Sequence, residues 1–321
     1  MRDWILISRL FIGGFLSIAG LIHANDVVGF SYQLEDFFNA TALNSLKTTK
    51  ELQAGFYSFL QMFTGIMLLF GQKPKVSILL ATLILLVEII AYSLILFHPL
   101  EIQSSFSWLQ FSIDLILLIL CLLLFRKRTV IKGLFSDKWD KVVITTNLIV
   151  SFSIPAYSYN FLPIIDYSSF SVGADLKSNL KQEIQNFQVF DLDENNVTAQ
   201  LLSNDGHKFI LVIEQIENCH FKSLAKFNKL AENAEIAVIP FYGLTSNNPS
   251  MIEDFRHEVQ AAYPFLKADQ YVLRQMVRSN PGLILLKGST IFGKWHFNSV
   301  PTFEELNSEF KLKSGGPSFI Q

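Results

Sequence analysis

The residues best suited to chemistry fall into two sets. The first is the stretch ILVIEQIENCHFK, in which Cys219 sits where a β-rich apolar run gives way to a helical pattern. A thiol at a helix amino terminus faces unpaired N–H groups that favour the thiolate, and Lys222 and His220 would add to that. The local chemistry suits a reactive thiol, while the absence of a second cysteine in reach weighs against catalysis. The second set is Arg9, His23, Glu88 and Asp114, charged or titratable residues embedded in long apolar runs. Charge is costly in hydrocarbon, so each is a candidate for function. Two readings stand side by side. One is an ion pair or hydrogen-bond set that fixes helix packing. The other is a quinone, proton or substrate site between helices. His207, His220, His257 and His296 are scattered without metal-ligand spacing, so no metal site is expected.

The elements that must position these groups divide the chain in two. With 50% hydrophobic and 17% charged residues and a mean hydropathy of +0.33, the 321-residue chain suits a protein part membrane and part soluble. The net charge of −2 gives no reason to expect nucleic acid as a partner. Two cysteines exclude a disulfide framework. Apolar stretches near the ~20 residues needed to cross a bilayer recur at 4–24, 54–71, 76–97, 106–125 and 142–162, the last interrupted by Pro155. The first lacks a small-residue cleavage site, so it is read as a retained helix rather than a removed signal peptide. Gly13, Gly14 and Gly20 give it a small-residue face for close packing.

The basic loop 126–141 belongs in the cytoplasm by the positive-inside rule, and so do Lys73, Lys75 and the amino terminus with Arg2. The loops 25–53 and 98–105 then lie outside. Five crossings put the carboxyl-terminal half outside the cytoplasm; four would leave it inside. With five, Cys121 lies toward the cytoplasmic end of the fourth helix and is separated from Cys219 by a hydrocarbon core of about 30 Å.

From about 166 the pattern becomes mixed and charged. Strand-turn-strand is expected over 186–208, with turns at Asn195-Asn196 and Asp205-Gly206. A strand over 208–216, a helix over 221–234, a strand over 235–243 and a helix over 251–265 follow. Strands at 282–287 and 290–297, turned at Gly288-Ser289, precede a closing helix that starts at Pro301-Thr302. Apolar strands separated by helices predict a central sheet covered on both faces. The tail 313–321 is expected to be disordered.

ISRLFIGGFLSIAGLIHANDVVGFSYQLEDFFNA, FLPIIDYSSFSVGADL and MVRSNPGLILLKGSTIFGKWHF together resemble the DoxX/MauE-type membrane proteins, in particular those fused to an extracytoplasmic thioredoxin-like domain. The resemblance implies a four-helix DoxX-like core over 1–128, and then the basic loop and fifth transmembrane helix over 129–165. A connecting β-rich segment over 166–207, an α/β thioredoxin-like domain over 208–312 and the tail complete the chain. It implies a cis bond at Asn280-Pro281, and it puts Cys219 at the first active-site cysteine and Lys222 at the place of the resolving one. The loop HPLEIQSSF lacks the cysteine pair of some relatives. A non-catalytic interaction or assembly protein of the cell inner membrane follows, with a cytoplasmic amino terminus and a periplasmic carboxyl-terminal domain. Its expected partners are lipid, other membrane subunits and periplasmic clients. The alternative is a component of a membrane oxidoreductase, quinone-linked or thiol–disulfide, using Cys219 as a single redox thiol. A third reading is a small bundle whose carboxylates carry protons.

Overall fold

The computed structural model describes residues 3–97, 105–179, 187–203 and 205–313, and the chain divides into two compact units, Met1–Tyr159 and Asn160–Gln321. The first unit is helical: α1 Asp3–Asn25, α2 Val27–Ala40, α3 Lys50–Phe70, α4 Pro74–Phe97, α5 Ser105–Arg126 and α6 Asp137–Asn160. Five stretches, Asp3–Asn25, Asn44–Phe70, Pro74–Leu96, Trp108–Arg126 and Asp137–Asn160, are long and apolar enough to cross a membrane. The outer loop expected over 25–53 is instead mostly helical. Asp26 caps α2 by accepting from the Gly29 N–H, and a 3-10 turn over Asn44–Thr49 leads into α3. The loop expected over 98–105 lies, but for Ser105, outside the described residues.

α1 and α3 pack with their backbones unusually close. A Cβ added at Gly13, Gly20 or Gly65 would fall within 3 Å of backbone on the facing helix, whereas Gly14 has open space around it. The small-residue face is therefore Gly13 and Gly20 against Gly65 of α3, and Gly14 has no part in it. Pro155 lies inside a continuous α6. Polar residues that dilute this helix are hydrogen-bonded, two of them to backbone carbonyls of other helices. Asn147 donates to the Phe63 carbonyl (3.0 Å), Ser151 to Asn147 (2.9 Å) and Ser158 to the Ala24 carbonyl (2.6 Å). These bonds tie α6 to α3 and α1 away from lipid.

The second unit is built on a six-stranded mixed sheet. Its elements are α7 Leu176–Asn179, β1 Val189–Phe190, α8 Thr198–Ser203, β2 His207–Ile213, α9 Leu224–Ile236, β3 Phe241–Thr245, α10 Pro249–Val259, β4 Phe265–Ala268, α11 Gln270–Met276, β5 Gly282–Lys287, β6 Thr290–His296 and α12 Phe303–Phe310. The order across the sheet is β1-β4-β3-β2-β5-β6. β2, β3 and β4 run parallel, and β5 runs antiparallel to both β2 and β6. Strand β2 shows why both faces are covered. Phe209, Leu211 and Ile213 join a core with α9, α10 and α12, while Ile210 and Val212 join one with Phe170, Leu176, Phe187, α8 and α11. Phe170, Leu176, Phe187 and Val189, expected in a connecting segment, are thus part of this core.

Several local expectations are corrected. The second half of the strand-turn-strand at 186–208 is α8, because Thr198 and Leu201–Leu202 bury one helical face. The expected strand over 235–243 starts only at Phe241. Glu235 and Ile236 complete α9, Val238 has a left-handed backbone (φ 57°), and Pro240 has no N–H to give a ladder. The expected helix over 251–265 ends at Val259, and β4 and α11 are additional elements. The β5–β6 turn falls at Gly288-Ser289, with Gly288 at φ 60°, and Thr302 and Glu305 form a capping box at the start of α12. Of the tail, Lys313 is described. Its N–H donates to His207 Nδ1 and its carbonyl accepts from the His207 N–H; residues 314–321 lie outside the described residues.

Candidate functional site

In the sheet unit, Cys219 does not open a helix. It follows a 3-10 turn over Ile216–Asn218 in extended conformation (φ −71°, ψ 140°), and α9 begins five residues later at Leu224. The side chain turns inward to the core that includes Leu211, Ile216, Leu224 and Phe227 and is 8% exposed. Burial pushes the thiol up to about 12, the reverse of the thiolate expected at a helix amino terminus. Lys222 is exposed on a second 3-10 turn, Phe221–Ser223. The other cysteine, Cys121, is a buried free thiol in α5 of the helical unit.

The turn that carries Cys219 is held by two asparagines. The Asn280 side chain accepts from the Glu214 N–H (3.0 Å) and donates to the Gln215 carbonyl (2.8 Å). Its own carbonyl accepts from the His220 N–H (3.0 Å). Asn247 accepts from the Ile216 N–H (3.0 Å) and donates to Glu217 (3.1 Å). The Asn280-Pro281 bond is cis. Around Glu214, Arg274 donates at 2.7 Å and Gln270 at 2.9 Å. This hydrogen-bonded frame was not legible beforehand, because its members come from segments more than 30 residues apart in sequence.

The same edge gathers two of the histidines that looked scattered. His220 stacks on Phe297 (centroids 4.4 Å, interplanar 13°), and His296 packs on the same ring at 4.2 Å. His296 is buried, and its imidazole is pushed down to about 4, first by burial and then by the neighbouring His220. Ser279 accepts from the Phe297 N–H (3.1 Å) and donates to the Pro281 carbonyl (2.5 Å). The arrangement is an exposed imidazole on an aromatic platform beside a closed thiol. Such a surface can stack and accept hydrogen bonds, but the thiol is not presented for attack. A separate cleft of about 300 Å³, lined by Asn228, Glu232, Ile239, Phe241 and Tyr263 among others, includes none of the expected site residues.

In the helical unit His23, Glu88 and Asp114 gather around Tyr57 and Gln61, and Arg9 stands apart from them. Glu88 Oε1 accepts from the Tyr57 hydroxyl (2.6 Å) and Gln61 Nε2 (2.8 Å), and the Gln61 carbonyl oxygen lies 3.0 Å from His23 Nδ1. His23 stacks on Phe30 at 4.0 Å. Asp114 accepts from Gln110 (2.9 Å) one turn earlier on its own helix. Glu88 Oε2 and Asp114 Oδ2 are buried without a hydrogen-bond partner among the described residues. Arg9 joins neither acid; it donates to the Lys132 carbonyl (3.2 Å). The internal ion pair considered for Arg9 is therefore absent among the described residues, while the hydrogen-bond set on Glu88 is present. Tyr57 and Gln61 belong to this hydrogen-bond set, and sequence reading missed them. The available signal was polar side chains at a spacing of four within an apolar helix, on the face that meets Glu88. Comparison of the chain with family models, with curated proteins and with solved structures yields no match.

Proposed function

We propose that the chain is a multi-pass inner-membrane protein of the DoxX/MauE type whose carboxyl-terminal unit is a periplasmic, non-catalytic thioredoxin-like domain serving in interaction or assembly. The observation that carries this reading is the closed position of Cys219: a core thiol held up near 12, with no second thiol in its unit. The thioredoxin-like assignment draws support from the order β3-β2-β5-β6, with α9 as the crossover between the parallel strands β2 and β3 and β5 antiparallel to β2. The periplasmic location is inferred from the basic loop 126–141 together with five crossings. The surface offered to a client is the His220–Phe297 platform beside Pro281.

The test is cross-linking and pull-down of the tagged full chain from envelope membranes, compared with Cys219→Ala. Stable partners retained by Cys219→Ala and lost with a paired His220→Ala, Phe297→Ala change are the expected result. Capture that depends on the Cys219 thiol, through a mixed disulfide, would overturn it.

The orphaned oxygens Glu88 Oε2 and Asp114 Oδ2 favour a second reading, in which the helical unit is part of a quinone-linked oxidoreductase. Each oxygen has the chemistry to accept from a quinol hydroxyl, and a bound quinone would supply two-electron, two-proton chemistry. Binding of a quinone analogue by the wild type that is lost in Glu88→Gln, Asp114→Asn would favour this reading over the first.

A further inference from the structure

One end of the helical unit concentrates positive charge. Lys73 and Lys75 lie at the α3–α4 turn, and Arg126, Lys127, Arg128, Lys132, Lys138 and Lys141 run from the end of α5 into α6. The only acids in these segments are Asp137 and Asp140. Seven of the eight cations are exposed and Arg128 is half-buried, and none of the eight forms an ion pair among the described residues.

The segment between α5 and α6 is fixed against the bundle. The Leu134 N–H donates to the Phe70 carbonyl (3.0 Å), and the Phe135 ring packs edge-on to Phe70 at 5.4 Å. From below, Arg9 donates to the Lys132 carbonyl. These contacts bring Lys73 and Lys75 to the same end as the other six. Arg9 is itself 5% exposed, and its Nε–H finds no acceptor among the described residues. A guanidinium stays charged, so a buried one without a carboxylate leaves a positive centre that calls for an anion. Beside the cations, Leu134 and Trp139 are 63% and 60% exposed. A tryptophan and a leucine at the ends of apolar spans suit the zone where headgroups meet acyl chains.

We propose that this face binds anionic phospholipid headgroups. The exposed lysines and arginines engage the phosphates, Leu134 and Trp139 enter the interface, and Arg9 adds a buried positive charge beneath them. A lipid is favoured over a soluble anion because the cations ring the ends of apolar spans and stand beside exposed apolar side chains. The proposal rests on α3 to α6 crossing the bilayer.

The experiment uses the full chain in mixed micelles titrated with spin-labelled phosphatidylglycerol or phosphatidylcholine. Each cation near an anionic lipid surface is worth roughly a fivefold change in association, so a clear preference for phosphatidylglycerol is expected. Lys127→Gln, Arg128→Gln, Lys132→Gln, Lys138→Gln should lower that preference at least about tenfold, and raised salt should lower it in the wild type. Folding of this variant is checked independently by an unchanged circular dichroism melt. Equal association of the two lipids, or displacement of phosphatidylglycerol by an equal concentration of inorganic phosphate, would overturn the proposal. Release of the chain from membranes by alkaline carbonate would instead overturn the spanning assignment on which it rests.

Discussion

Alkylation of Cys219 in the folded protein should be slow, and the structure sets how slow. At a pH of about 7.5 a free cysteine with a pKa near 8.5 is roughly one-tenth thiolate, whereas a thiol near 12 is ionised to about one part in 10⁴ to 10⁵. Because the thiolate is the nucleophile, labelling should be retarded by about 10³-fold from ionisation alone. Enclosure by Ile216, Leu224 and Phe227 can only add to this. The assay is iodoacetamide labelling of the full chain carrying Cys121→Ala, so that one thiol is read by mass spectrometry. The same protein in denaturant supplies the unprotected rate. The folded-state rate should keep rising about tenfold per pH unit up to the working limit near pH 9. A plateau below about pH 8, or a neutral rate within tenfold of the denatured control, would refute the reasoning. It would mean that the thiol is presented and activated, and the oxidoreductase reading would then take precedence.

Packing, acid stability and the buried acid give three further expectations. Gly65→Leu should lower the melting temperature of the detergent-solubilised chain by an amount equivalent to about 1–3 kcal/mol or more, because the new Cβ meets the Ser17 nitrogen at 2.4 Å, while Gly14→Ala should be close to neutral. Stability should fall as pH drops from about 6.5 toward 4: unfolded His296 takes up its proton first and the folded side chain only near 4, so the unfolded state binds more protons, at about 1.4 kcal/mol per pH unit. Asp166 acts in the same direction. Burial alone would raise its carboxyl, but the Lys294 ammonium at 2.5 Å holds it below the ordinary range, so its contribution is lost as pH falls through the folded value. A melt series across pH, with His296→Gln flattening the slope, checks this. Glu88→Leu should destabilise by on the order of 1 kcal/mol for each bond left unmade, since Tyr57 and Gln61 lose their acceptor, and Glu88→Gln should retain most of the stability.

What the sequence determined by itself is whatever is encoded within one element. Five apolar runs define the spans because crossing hydrocarbon demands about 20 apolar residues in a row. The runs GLILLK and TIFGKWH define β5 and β6, and Asn248 and Thr302 define helix starts through their own side chains. Tertiary structure decided the environment of each candidate group. Cys219 reads as a helix-opening thiol until α9, α10 and α12 close over that face of the sheet and the asparagines of two distant loops fix its turn. His220 and His296 are 76 positions apart and meet only because β6 runs alongside β5 and ends beside the Pro281 loop. Arg9 and Glu88 look alike as charges in apolar helices, yet one turns to the Lys132 carbonyl and the other to Tyr57 and Gln61. Burial and partnership are sums over the whole packed chain, so a pattern read along one strand or helix cannot contain them.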